Sequence, residues 1–203
     1  MAYIGKVPTA VPLGTSDLAN NIVTVDKLAT TLDLSSNTIT LPSGVGGKVL
    51  QVVQTVKTDT FSSSSTSYTD ITGMSVTITP SSASNKILIL CHLGILGTTG
   101  SGTSASVQLL RGATVIGNGT PASSRPGSIY RTAGGVNGDH NNGGSFQFLD
   151  SPSTTSATTY KLQGISQTSF NFTVNKSGSD ADQALSYGTR TSSTLTAMEI
   201  VAW

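Results

Sequence analysis

Met74-Ser75-Val76-Thr77-Ile78-Thr79 places three apolar side chains on one face of an extended chain and three hydroxyls on the other. Alternation with a period of two is what a half-buried β-strand requires. Ser145-Phe146-Gln147-Phe148 and Ser169-Phe170-Asn171-Phe172-Thr173-Val174 repeat the pattern. Val49 to Val56, Val107 to Leu110, Thr158 to Gly164 and the closing Thr194 to Trp203 are further strand candidates. Turn-rich stretches at 62–65, 80–85, 97–102, 117–121 and 136–144 separate them. Short strands in that number, divided by such turns, predict a mainly β chain whose residues 47–203 form an antiparallel, jelly-roll-like sandwich.

One stretch departs from the alternation. Lys86-Ile87-Leu88-Ile89-Leu90-Cys91-His92-Leu93-Gly94-Ile95-Leu96 is apolar on both faces. A strand in a two-layer sandwich buries only one face. The second face, Leu88, Leu90, His92 and Leu96 in one assignment, therefore needs a cover. The last strand behaves alike, with Leu195, Ala197, Val201 and Trp203 on one side and Met198 and Ile200 on the other. Two such strands predict a subunit interface, with a long loop of the same chain as the alternative cover.

Composition narrows the function classes. Of 203 residues, 10% are charged and 36% hydrophobic, and the formal net charge is +1. The polarity comes instead from 30 Ser and 31 Thr. Neither disorder driven by self-repulsion nor a phosphate-binding surface fits, so no nucleic-acid partner is expected. No 18-residue apolar run and no apolar leader occur, so membrane insertion is not expected. Cys91 is the single cysteine, so no intrachain disulfide can form.

Residues 1–46 read differently from the rest. Pro8 and Pro12 favour extended chain, and Leu18, Ile22, Val25, Leu28 and Leu32 recur at helical spacing. The β-branched run Ile22-Val23-Thr24-Val25 leaves a strand open as the alternative. The segment is too poor in apolar residues to bury its own core, so its order is expected to come from other copies.

Catalytic chemistry has little to work with. His92 and His140 are the only histidines and Glu199 the only glutamate. No Gly-x-Ser-x-Gly elbow, zinc-ligand spacing or EF-hand loop occurs. No enzyme activity, no metal and no cofactor are expected. Three Asn-x-Ser/Thr patterns occur, about as many as chance gives in a chain this rich in hydroxyls. A recognition candidate lies at 136–144, where Asp139, His140, Asn141 and Asn142 follow Tyr130 and Arg131. Planar amides beside an aromatic ring suit a sugar, and the plain reading is an ordinary surface loop.

Tyr3-Ile4-Gly5-Lys6-Val7-Pro8-Thr9-Ala10-Val11-Pro12-Leu13, Asn21-Ile22-Val23-Thr24-Val25-Asp26-Lys27-Leu28 and Asn37-Thr38-Ile39-Thr40-Leu41-Pro42-Ser43-Gly44 resemble the N-terminal part of tail-fibre and appendage proteins of tailed bacteriophages. The hairpin from Val107 to Gly117 is similar to those of trimeric jelly rolls of the tumour-necrosis-factor and complement-globular-head type. The resemblance implies a structural virion protein, homotrimeric, made in the host cytoplasm and displayed on the particle exterior. It implies attachment to other virion proteins, of tail or capsid, through Tyr3, Ile4, Lys6, Val7 and Pro8. Ile22, Val25, Leu28, Leu88, Leu90, His92 and Trp203 are the expected trimer contacts, and host surface glycan the expected outside partner. A capsid fibre or decoration protein and a free carbohydrate-binding module are the alternatives.

Overall fold

A computed structural model describes residues 48–100, 103–132, 140–166, 170–182, 184 and 188–202, with His140 and Asn141 described by backbone alone. All lie in the second of the two units into which the chain divides, Gly46–Trp203. The attachment residues Tyr3, Ile4, Lys6, Val7 and Pro8, the expected contacts Ile22, Val25, Leu28 and Trp203, and the loop residue Asp139 lie outside the described residues.

The described chain is mainly β. Its strands are β1 (Val49–Lys57), β2 (Phe61–Ser63), β3 (Thr69–Ile78), β4 (Lys86–Thr98), β5 (Ala105–Arg111), β6 (Thr114–Ile116), β7 (Tyr130–Arg131), β8 (His140–Asp150), β9 (Thr158–Ser166), β10 (Phe172–Val174) and β11 (Ser193–Ile200). They form two antiparallel sheets packed as a sandwich. The first runs β1-β11-β4-β10-β2, with β8 on the far side of β4. The second runs β3-β9-β5-β6, with β7 also on β5. β11 pairs with Lys86 to His92 of β4, and β10 takes over from Leu96 to Thr98.

Alternation builds the core between the sheets. Met74, Val76 and Ile78 of β3 are buried and meet Ile87, Ile89 and Cys91 of β4 and Leu195 and Ala197 of β11 in one cluster. Phe146 and Phe148 of β8 pack against it. Two irregularities reset the phase. The β4–β8 register slips between Leu93 and Leu96, so both leucines are buried where strict alternation would separate them. A bulge inserts one residue and turns the following side chains over. Leu96 therefore belongs to the core and not, as the simple pattern gives, to the outer face of Leu88 and Leu90. In β3 the register slips between Asp70 and Ser75, with Gly73 at φ +82°. Glycine adopts that left-handed conformation at no steric cost, and it lets Ile71 and Met74 both point inward.

The sequence pattern also misplaces two boundaries. Gly- and Asn-rich composition makes 136–144 a loop, yet the ladder of β8 begins at His140, with His140, Asn141 and Asn142 opposite Thr98, Gly97 and Leu96. Backbone pairing with a long neighbour overrides weak strand propensity. The expected strand from Ser169 shrinks to β10, all three residues of which are buried, while Phe170 stays 49% exposed.

The two ends of this unit are tied together by Glu199, which is 1% exposed. Its Oε1 accepts bonds from the Ser81 backbone N–H, the Ser81 hydroxyl and the Asn85 amide, each 2.7 Å, and its Oε2 from the Gln51 amide. Asn85 Oδ1 accepts the backbone N–H of Ala202, and Lys48 O that of Val201. The entering strand, the β3–β4 turn and the leaving strand therefore share one carboxylate. Burial would raise that carboxyl, but the bonds from Asn85, Gln51 and Ser81 outweigh it and hold it down at about 2.

Candidate functional site

Register carries the outer face of the first sheet across four strands. Val52 faces Met198, Met198 faces Leu88, and Leu88 faces Leu149. These four form one continuous apolar row from β1 to β8. Val52 is 54% and Leu149 47% exposed, and Leu88 and Met198 between them are half-buried. Below it runs a mixed row of Gln54, Thr196, Leu90 and Gln147, and then one of Val56, Thr194, His92 and Ser145. Above it Ile200 stands opposite Lys86, with Val49 and Leu50 exposed at the edge.

The second sheet is polar outside. Gln108 bonds Gln163, whose neighbour across β3 is Asp70, and Asp70 also binds the Lys161 ammonium at 2.8 Å. Thr77 and Thr159 bond each other through their hydroxyls. Along β3, β9 and β5 these outer polar groups pair with one another, whereas the first sheet leaves an apolar row to solvent. Covering four such half-exposed side chains would contribute about 1 kcal/mol each. Both strands at the row's ends, β1 and β8, are edges of the sheet, where unpaired backbone invites a partner.

Leu88, Leu90 and His92 therefore lie together on this outer face. His92 is exposed, and its Nδ1 is 3.2 Å from Ser145 Oγ. The shallow groove around that pair is lined by Gln54, Thr194, Thr196 and Gln147, with no carboxylate among the described lining residues. Cys91 beside it points into the core, and burial pushes its thiol up to about 12. Among the described residues no three His, Cys, Asp or Glu side chains gather as a metal site.

Of the candidate recognition residues, Tyr130, Arg131 and Asn142 are described with their side chains. Tyr130 and Arg131 are successive residues of β7, so their side chains leave opposite faces. Tyr130 packs against the core, its hydroxyl bonded to Gly143 O and its ring lying against Gly144. Arg131 is exposed on the other side. Asn142 is exposed and its amide reaches the Thr132 hydroxyl at 3.4 Å. Strand pairing was the missing signal, since composition alone does not show that Tyr130 lies against Gly143 and Gly144 of β8.

No protein-family model matches the sequence, and no curated protein matches it either. Solved structures similar to it include a structure of the infectious bursal disease virus Gt strain, at 16% identity over 81% of this chain and 42% of that one, with a TM-score of 0.37. A crystal structure of the infectious bursal disease virus VP2 subviral particle is similar at 18% identity over 87% of this chain and 46% of that one, with a TM-score of 0.36. The chain spans less than half the length of either. At that degree of similarity nothing about family or function follows.

Proposed function

We propose that this chain is a non-enzymatic structural component of a bacteriophage particle, a short homotrimeric tail fibre or appendage. Residues 1–46 attach it to other virion proteins, and the β-sandwich head faces outward and contacts host surface glycan. The N-terminal resemblance to tail-fibre proteins supports attachment. The observation that carries self-association is the apolar row Val52, Met198, Leu88 and Leu149, which crosses four strands and leaves Val52 and Leu149 about half exposed.

Closed symmetry is the usual way to hide such a face, because each copy then covers an identical patch without leaving a sticky end. Three heads on one stalk would also multiply weak glycan contacts through avidity. Deleting residues 2–30 tests the attachment: particles should lose the protein while the head still folds. Normal incorporation of the truncated chain would contradict the reading, and a purified full chain that stays monomeric would favour a free carbohydrate-binding module.

A further inference from the structure

The described residues include four arginines. Arg111 is paired with Asp150, and Arg190 with Asp180. The other two, Arg125 and Arg131, have no carboxylate partner among the described residues, and both line the same cleft of about 620 Å³ at one end of the polar sheet. That volume falls within the range of small-ligand sites. The remaining wall is rich in hydroxyls, with Thr66, Ser106, Ser128 and Ser166 among them, and carries no acid. In a chain with so few charges, two unneutralised guanidinium groups in one concavity form a local anion-attracting field.

The backbones that present these groups are fixed. Ala122 and Arg125 exchange both backbone hydrogen bonds, at 3.0 and 3.1 Å, around a tight turn. Ser106 and Arg131 stand opposite each other in the β5–β7 ladder, and Ser106 also pairs with Ile165 of β9. A ladder and a closed turn hold the backbone beneath both arginines before a ligand arrives.

A second groove adjoins it and shares Pro126. It holds the ring of Tyr68 and the amides of Gln108 and Asn118. Gln108 lies two residues beyond Ser106, so both side chains leave the same face of β5. Asn118 Nδ2 donates to Gly127 O and Gln108 Nε2 to Gln163 Oε1, which holds both amides in place, and Asn118 Oδ1 accepts no bond from the described residues. Guanidinium forks match a planar or tetrahedral oxyanion. An aromatic face with amides beside it matches a neutral sugar ring.

We propose that Arg125 and Arg131 form the anion subsite of a saccharide-binding cleft, and that the head takes an acidic glycan, with its carboxylate or sulfate ester over the guanidinium groups and the adjoining sugar beside Tyr68, Gln108 and Asn118. The assignment rests on the glycan-contact reading above and deepens it. It moves recognition from the 136–144 segment to the outer side of the second sheet, opposite the apolar row, where self-association leaves it open.

The test is titration of the full-length chain with 3′-sialyllactose, a 6-O-sulfated N-acetyllactosamine, lactose and sodium sulfate, monitored by NMR or calorimetry. An acidic saccharide binds more tightly than lactose or sulfate, and Arg125→Ala and Arg131→Ala each weaken it about tenfold or more at unchanged Tm. Arg131→Lys keeps charge but loses the fork and falls between. Tyr68→Ala weakens the acidic saccharide without altering its preference over lactose. Acidic sugars that bind no better than lactose, or that bind the double arginine variant unchanged, overturn the subsite while leaving glycan contact standing. Sulfate bound as tightly as the saccharides overturns the sugar half. No binding to any saccharide removes both the cleft and the glycan contact, and leaves attachment to the particle to its own deletion test.

Discussion

Glu199 Oε1 and Asn85 Nδ2 are joined by a 2.7 Å hydrogen bond across 114 residues of sequence. The chain's one glutamate is thereby placed where the β3–β4 turn, the entering strand and the leaving strand meet. Gln51, which donates to the other oxygen, also donates to Thr79 O. No water is needed to satisfy this carboxylate. Its role is to close the head at the end where residues 48–51 lead in.

Glu199→Gln replaces an acceptor with a donor that faces the Gln51 amide, and removes charge from bonds that depend on it. Hydrogen bonds to ionised groups contribute about 1.5–3 kcal/mol each. Thermal unfolding of the variant should show a loss of about 2 kcal/mol or more. An unchanged Tm would mean that the clasp is ornamental.

The same group makes a pH prediction. Its carboxyl has an ordinary value of 4.5 and sits near 2 in the folded chain. A depressed carboxyl stabilises the fold fully above its unfolded value and progressively less as pH falls through the folded one. Denaturant unfolding should therefore lose up to about 3 kcal/mol from this site between pH 5 and pH 2. The Glu199→Gln variant should lack that portion of the acid slope.

Gly164 of β9 leaves room for a ring. A methyl group there would run into the edge of Phe172, which is fully buried and packs on Phe61 with ring centroids 5.7 Å apart. Gly164→Ala should cost about 1–3 kcal/mol by overpacking, measured as a lower Tm. A neutral outcome would show that this corner of the core has slack.

Asp150 accepts from both Arg111 and the Tyr160 hydroxyl, the latter at 2.7 Å. Tyr160 is buried, and burial first, then the Asp150 carboxylate, push its hydroxyl well above the usual range. Tyr160→Phe removes one bond and leaves the ion pair, so chemical denaturation should report a loss of about 1 kcal/mol.

How far this was readable from sequence follows the range of the interactions. Met74, Val76 and Ile78 alternate locally, and the strand follows. The second apolar face at Leu88 and Leu90 is equally local, and so is the burial of Cys91. What failed was phase and partnership. An extra residue between Leu93 and Leu96 shifts the pattern without leaving a mark in composition. The β8 strand begins inside a Gly- and Asn-rich run because β4 is long enough to pair with it. Arg125 and Arg131 share a cleft only through the β5–β7 register and the turn that Ala122 and Arg125 close. The clasp of Glu199 depends on partners 114 to 148 residues away, which no window of local pattern contains.

The apolar row is open to mutation without touching the core. Val52→Asp with Leu149→Asp places two charges at positions already about half exposed, so each head should keep its fold within about 1 kcal/mol. A self-associated chain should fall apart into single folded heads in gel filtration. Retention of the assembly would assign the contact to another surface.

The mass of the purified full-length chain in solution, by sedimentation equilibrium at micromolar concentration, bears most directly on whether this face is hidden between copies. A species of three chains that dissociates with the Val52→Asp, Leu149→Asp variant is the predicted result. A stable single-chain mass, with Val52, Leu88, Leu149 and Met198 open to solvent, would contradict it.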